Sequence, residues 1–131
     1  MNSGYRYHHV LLIENMEIDN YIACYLLEKY LVTSVITVKT NATDALEWLS
    51  SEMKLGHMLP DLIILDMKLP DMDGRELLRI MEEYPEEIKS KIKIVVASSI
   101  KDQREVDEIK NNPMINLFIP KPLNSHSMNY I

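Results

Sequence analysis

Residues 61–74 read DLIILDMKLPDMDG, and this stretch decides the fold. Four apolar residues at 62–65 run directly into Asp66, and a proline, two more acids and Gly74 follow within eight positions. A short continuous apolar run predicts a strand that is buried on both faces. The proline, acids and glycine after it predict a loop. The pattern therefore places a carboxylate at the tip of a buried strand.

The rest of the chain alternates between short apolar runs and stretches with helical periodicity. We predict further strands at 9–13, 35–38, 93–97 and 116–119. We predict helices at 17–30, 42–54 and 75–84, a fourth that begins at Asp102 and ends before Pro113, and a short last helix after Asn124. Residues 82–91 are rich in charge and are predicted to be a solvated loop. Alternation of this kind predicts an α/β fold: a doubly wound, five-stranded parallel sheet with helices on both faces.

Length and charge narrow the possible functions. The 131 residues suit one domain, and the formal net charge of −6 argues against binding to nucleic acid or to an anionic membrane. Cys24 is the only cysteine, so no internal disulfide can form, which fits a cytoplasmic setting. We find no signal peptide, no apolar run of the ~20 residues that span a membrane, and no glycine-rich nucleotide loop.

Ligands of doubly wound sheets bind beyond the carboxyl ends of the strands. The residues just past four of the predicted strands are Glu14 and Asn15, Asp66, Ser98 and Ser99, and Lys121 and Pro122. Two neighbouring carboxylates require a cation, and Mg²⁺ prefers oxygen ligands of this kind. An aspartate can also accept a phosphoryl group, whose oxygens a lysine ammonium and a serine hydroxyl would bind.

These motifs carry a resemblance. The segments VLLIEN, LIILDMKLPDMDG, VVASS and FIPKP resemble a CheY-like receiver domain of a two-component response regulator, over essentially the whole chain. The resemblance implies a flavodoxin-like strand order of 2-1-3-4-5. It also implies a single receiver domain over 1–131 that acts in phosphorelay signalling rather than as an enzyme, and no output domain is visible.

The resemblance also implies a role for individual residues. Asp66 would be the phosphoacceptor, Ser98 the switch hydroxyl, Phe118 the switch aromatic and Lys121 the lysine that pairs with the phosphate. Glu14, Asn15, Asp66 and the backbone carbonyl of Lys68 would hold Mg²⁺. The Lys121–Pro122 peptide bond would be cis. The phosphoryl donor would be a sensor histidine kinase or a phosphotransfer protein. A downstream protein would bind the surface of the fourth predicted helix, the fifth strand and the final segment. The domain could also form a homodimer through this surface.

Asn15 departs from the family pattern, because that position usually carries Asp. The predicted metal site then holds two carboxylates rather than three, and we expect weaker Mg²⁺ binding. This leaves an alternative, a receiver-like interaction module that works without phosphorylation. A small hydrolase or phosphatase with Asp66 as nucleophile is a further reading, but Lys68 stands where that class usually wants a second acid. The sequence does not identify the kinase, the downstream target, or whether the chain stands alone or belongs to a larger protein.

Overall fold

The computed structural model describes residues 4–131. Its five strands are β1 (Val10–Ile13), β2 (Ile36–Lys39), β3 (Leu62–Leu65), β4 (Lys93–Ser98) and β5 (Leu117–Pro120). Its helices are α1 (Glu17–Lys29), α2 (Ala42–Lys54), α3 (Gly74–Met81), α4 (Glu86–Lys89) and α5 (Gln103–Lys110), followed by a 3₁₀ turn at Ser127–Asn129. All strand pairs are parallel, in the order β2-β1-β3-β4-β5, so the predicted fold class and strand order are confirmed.

Burial follows the position of each strand in the sheet. Every residue of β1 and β3 is buried, whereas the edge strands β2 and β5 are partly exposed. A central parallel strand is covered by helices on both faces, and therefore needs apolar side chains at successive positions. The continuous run LIIL of β3 is thus the sequence of a central strand, and it fixes the place of the residue that follows.

The sheet separates two apolar cores. One contains Leu11, Ile63 and Val96 together with side chains from α2, α3 and α5. The other contains Leu12 and Ile64 with side chains from α1, and it also takes up Met128 and Ile131. Successive residues of a strand point to opposite faces, so the two cores share the same three central strands.

Side-chain caps begin three of the helices. Asn41, Asp73 and Asp102 each accept a hydrogen bond from a backbone N–H in the first turn of α2, α3 and α5 respectively. Such caps satisfy N–H groups that have no partner within the helix. Met16 is the N-cap residue of helix α1, and its side chain makes no capping hydrogen bond.

The predicted solvated loop at 82–91 is wrong in part, because Glu86–Lys89 form the short helix α4. Ile88 and Tyr84 are half-buried against the core on the α3 side of the sheet. Pro85 starts this turn with its carbonyl, which accepts hydrogen bonds from the backbone N–H groups of Ile88 and Lys89. Two apolar side chains among many charges were enough to anchor the segment.

The predicted short last helix after Asn124 is a single 3₁₀ turn in the structure. The short 3₁₀ turn at Ser127–Asn129 buries Met128, and Ile131 is buried beside it. The guanidinium of Arg6 donates hydrogen bonds of 2.7 Å to the carbonyls of Met128 and Ile131.

No helix within residues 4–131 is both long and apolar enough to cross a membrane.

Candidate functional site

The carboxyl ends of β1, β3 and β5 bring three of the predicted site residues into contact. Backbone hydrogen bonds continue the sheet past the strand ends, from Glu14 N–H to the Lys39 carbonyl and from Asp66 N–H to the Ile13 carbonyl. Lys121 follows β5, and its N–H donates to the carbonyl of Ser98 at 2.9 Å. The positions of the three side chains are therefore set by the backbone of the sheet.

The ammonium of Lys121 lies at the centre of this site. Its Nζ donates hydrogen bonds to Oε1 of Glu14 and to Oδ2 of Asp19, the latter at 3.0 Å, and lies 3.3 Å from Oδ2 of Asp66. Burial alone would lower the pKa of Lys121, but the hydrogen bonds to Glu14 and Asp19 and the charge of Asp66 outweigh it, and its pKa is raised. Lys121 is therefore a firmly protonated cation shared by three carboxylates.

The two strand-tip carboxylates are buried. Glu14 is 3 % exposed and Asp66 is 8 % exposed. Burial and the nearby charge of Asp66 raise the pKa of Glu14, against the hydrogen bonds from Lys121 and from the Met16 N–H that lower it. The remaining Asp66 oxygen, Oδ1, accepts a hydrogen bond from the Lys68 N–H at 3.2 Å. Two acids held this closely away from water attract a cation strongly.

Asp19 is a site residue that our sequence analysis missed. It lies in the first turn of α1, and its contact with Lys121 joins residues that are 102 positions apart. The available signal was its position, since an acid in the first turn after β1 starts at the same sheet edge as Glu14. Asp19 does not follow a strand directly, so position at a strand end does not identify it.

The donor set is compatible with a hard divalent cation. Glu14 and Asp66 supply carboxylate oxygens, and the exposed Asn15 and Lys68 lie at the same loops with an amide oxygen and a backbone carbonyl available. No group of three His, Cys, Asp or Glu side chains within residues 4–131 is placed to hold a metal ion. A cation here would therefore depend on neutral oxygens and water, which Mg²⁺ accepts. The Lys121 ammonium already supplies one positive charge to Glu14 and Asp66 at this site.

The two predicted switch residues lie on the neighbouring strands β4 and β5. Ser98 is 1 % exposed, and its Oγ accepts a hydrogen bond from the Ile100 N–H at 3.1 Å. Within the described residues the Ser98 hydroxyl makes no hydrogen bond to Asp66. Phe118 is half-buried on β5 opposite Val96, with the Lys110 Nζ 5.9 Å from its ring centroid. The structure thus brings Glu14, Asp66 and Lys121 into contact, while the Ser98 hydroxyl is hydrogen-bonded to the backbone after β4.

The loop after β3 is closed tightly onto the strand tip. The Gly74 N–H donates to the Met67 carbonyl at 2.9 Å, and a Cβ on Gly74 would lie 2.7 Å from Sδ and 2.9 Å from Cα of Met67. Real side chains do not approach this closely, so a glycine is required by space. The loop beside Asp66 therefore has little freedom to change its path.

The same loop reaches the neighbouring helix through Asp71. Its carboxylate accepts hydrogen bonds from the backbone N–H groups of Ala42 and Thr43 at 2.9 and 2.7 Å, at the start of α2. Slight burial would raise the pKa of Asp71, but the hydrogen bonds from Thr43 and Ala42 lower it to about 2.

The peptide bond between Lys121 and Pro122 is cis, as predicted.

The sequence matches the response regulator receiver domain family over residues 10–129. The chain belongs to this family. Among proteins of known function, it is 31% identical over 111 residues to the aerobic respiration control sensor protein ArcB of Escherichia coli K12. That alignment covers 80% of the chain but only 13% of ArcB.

Solved structures show the same fold. A two-component response regulator from Cytophaga hutchinsonii aligns with a TM-score of 0.85 at 22% identity, covering 95% of this chain and 93% of that one. The Mn²⁺-bound form of the response regulator Rcp1 aligns with a TM-score of 0.74 at 21% identity, over 94% and 88% of the two chains. The phosphorylated cyanobacterial phytochrome response regulator RcpA aligns with a TM-score of 0.75 at 25% identity, over 94% and 87%. The chain thus carries a receiver domain of two-component phosphorelay systems, and this family of domains serves signalling rather than classical enzyme catalysis.

Proposed function

We propose that this receiver domain accepts a phosphoryl group on Asp66 from a sensor histidine kinase or phosphotransfer protein, with Mg²⁺, and so switches a protein-binding surface. The observation that carries the proposal is the Lys121 ammonium 3.3 Å from the Asp66 carboxylate, at the tip of a central strand and beside buried Glu14. Membership of the family and the phosphorylated and Mn²⁺-bound forms of its relatives support the same reading.

The chemistry is a transfer between two nucleophiles. A carboxylate oxygen of Asp66 attacks phosphorus, the bond from phosphorus to the donor histidine nitrogen breaks, and that nitrogen keeps the electron pair and takes up a proton. The product is an acyl phosphate on Asp66. Attack by water on phosphorus releases inorganic phosphate and a proton and restores the carboxylate.

The residues around Asp66 would orient and stabilise the transferring group. Bound Mg²⁺ would supply positive charge to the phosphoryl oxygens, held by Glu14, Asp66, the Asn15 amide and the Lys68 carbonyl. Lys121 would donate to another phosphoryl oxygen. Asn15 removes one carboxylate from the usual set, so we expect the cation to bind more weakly than in relatives with Asp at that position.

The switch would run from Ser98 to Phe118. The Ser98 hydroxyl now accepts from the Ile100 N–H and has its own hydrogen to donate. A phosphoryl oxygen on Asp66 would draw this hydroxyl inward, and Phe118 on the adjoining strand would move toward the space left behind. The surface of α5, β5 and the 3₁₀ segment would change, and a downstream protein or a second copy of the chain would read it.

The test is a mass measurement of the intact protein after incubation with acetyl phosphate or phosphoramidate and Mg²⁺. We expect one phosphoryl group on the wild type, none on Asp66→Asn, and one on Asp107→Asn, a surface control on α5. Wild type that stays unmodified would contradict the proposal and leave the phosphorylation-independent interaction module.

A further inference from the structure

The contact between Asp19 and Lys121 has no counterpart in the roles assigned so far. The Asp19 carboxylate comes from α1, not from a strand tip, and it binds the same ammonium as Glu14. We propose that Asp19 is a positioning residue, which holds Lys121 in the resting state and competes with a phosphoryl group on Asp66 for its ammonium. This inference rests on the proposed function of the site.

The position of Asp19 is built into the start of α1. The side-chain amide of the next residue, Asn20, donates to the carbonyl of Glu14 at 2.8 Å, and the Asn20 N–H donates to the Met16 carbonyl at 3.0 Å. These two bonds fix the first turn of the helix against the tip of β1. The Asp19 side chain is therefore presented to Lys121 by backbone that is itself anchored at the site.

Most of the hydrogen-bonding capacity of the Lys121 ammonium is already in use. Two of its three hydrogens are donated to Glu14 and Asp19, and the Asp66 carboxylate lies 3.3 Å away. A phosphoryl group on Asp66 would add several acceptor oxygens at the same place. Lys121 can bind more than one of them only by giving up its hydrogen bond to Glu14 or to Asp19.

Burial decides which acceptor is released. The side chain of Glu14 is 5 % exposed and that of Asp19 is 28 % exposed. A buried carboxylate that loses its partner pays the full cost of desolvation, whereas a more exposed one is solvated by water. Asp19 is therefore the partner that Lys121 leaves, and the strength of that bond sets how readily the phosphorylated arrangement forms.

The substitution Asp19→Asn tests this directly, because it removes the charge and keeps the shape. The matched control is Glu17→Gln, which removes an exposed acid from the same first turn of α1. The probe is beryllofluoride with Mg²⁺, which binds an aspartate carboxylate as a phosphoryl analogue, and the readout is its apparent dissociation constant from titration. We expect about three- to tenfold tighter binding in Asp19→Asn and no change in Glu17→Gln, in the range of measured couplings between contacting charges. An equal change in both variants would overturn the proposal, because it would reflect only the general loss of negative charge.

A double-mutant cycle tests whether Asp19 acts through Lys121. In a Lys121→Met background, Asp19→Asn should leave beryllofluoride affinity unchanged. The same gain in both backgrounds would refute the positioning role. The NMR signal of the Lys121 ammonium provides a readout that does not need phosphorylation: we expect protected hydrogens in the resting wild type and faster exchange in Asp19→Asn, and equal exchange rates would again refute the proposal. If the wild type binds no beryllofluoride, the proposed function fails, and the ammonium signal still decides whether Asp19 holds Lys121.

Discussion

Two clusters in this protein each contain one cation and three carboxylates, and they differ in burial. Around Lys121 lie Glu14, Asp19 and Asp66, and the lysine side chain is 11 % exposed. Around Arg75 lie Asp73, Glu105 and Glu108, with the arginine side chain 40 % exposed. The first cluster joins three strand tips and a helix, and the second joins α3 to α5 at the surface.

The comparison shows that the number of charges in a cluster does not by itself predict how much the cluster stabilises the fold. The burial of those charges has to be known as well. Exposed ion pairs gain little, because water screens the charges and long side chains lose entropy when fixed. In a buried cluster each charge depends on the others, since none can be solvated alone. The Lys121 cluster should therefore respond to any new charge placed in it, as the proposed phosphoryl transfer to Asp66 requires.

The largest effect should follow from removal of the buried cation. Lys121→Met keeps most of the length of the side chain, removes its charge, and leaves Glu14 and Asp66 without their shared cation. We expect the free energy of unfolding to fall by about 2–3 kcal/mol, below the full cost of breaking a buried pair because the site reaches solvent. Urea unfolding followed by circular dichroism measures this. Added Mg²⁺ should recover more stability in the variant than in the wild type, and an unchanged urea midpoint would show that the carboxylates do not need the ammonium.

The next effect concerns the loop that connects the two clusters. Gly74→Ala forces a Cβ against Met67, and we expect a loss of about 1–3 kcal/mol, with slower phosphorylation because the Asp66 carboxylate is displaced. The control is Gly56→Ala, at a position of positive φ with open space around it. Its backbone strain should cost about 1 kcal/mol and leave phosphorylation unchanged. Equal phosphorylation rates in both variants would show that the loop does not position Asp66.

Asp71 is an intermediate case between the two clusters. Its side chain is exposed, but its carboxylate accepts hydrogen bonds from two backbone N–H groups of α2. Asp71→Asn should cost about 1 kcal/mol, the usual value of a lost helix cap. The pKa of this carboxyl is lowered from 3.8 to about 2, so its contribution is complete above pH 3.8 and is lost as pH falls through about 2. The difference in stability between wild type and variant should therefore shrink as pH falls from about 4 to 2. A difference that is constant over this range would mean that the charge of Asp71 is not what binds α2.

The smallest effect should come from the surface cluster. Arg75→Gln removes its cation, and we expect the free energy of unfolding to change by less than about 0.5 kcal/mol, decreasing further with added salt. Urea unfolding at low and high ionic strength measures it. A loss as large as that in Lys121→Met would mean that burial does not separate the two clusters.

Much of this arrangement could be predicted from the sequence. The runs VLLI and LIIL are unbroken because central strands are covered on both faces, and that pattern alone places Glu14 and Asp66 at one edge. The parallel topology then brings Lys121 to the same place. Position at a strand end was therefore sufficient to find three of the four charged residues of the site.

The residues that sequence reasoning missed depend on tertiary contact. Asp19 looks like an ordinary first-turn acid, and only packing of α1 on the sheet brings it to Lys121. Helix α4 looks like a charged loop, and only the burial of Ile88 and Tyr84 against the core makes it regular. The link from Asp71 to the start of α2 spans about thirty positions, and no local pattern indicates it.

The difference between β3 and β5 has a consequence for how the backbone opens. β3 pairs with β1 on one side and β4 on the other and is wholly buried, whereas β5 has β4 as its single neighbour and is partly exposed. Amides of a buried central strand exchange with solvent through global unfolding, whereas those of an edge strand exchange through local fraying. We therefore expect the amides of β3, which leads to Asp66, to exchange more slowly than those of β5, which leads to Lys121. The backbone segments behind the two partners of this ion pair would then open at different rates, and we expect Lys121 to be displaced while β3 stays closed.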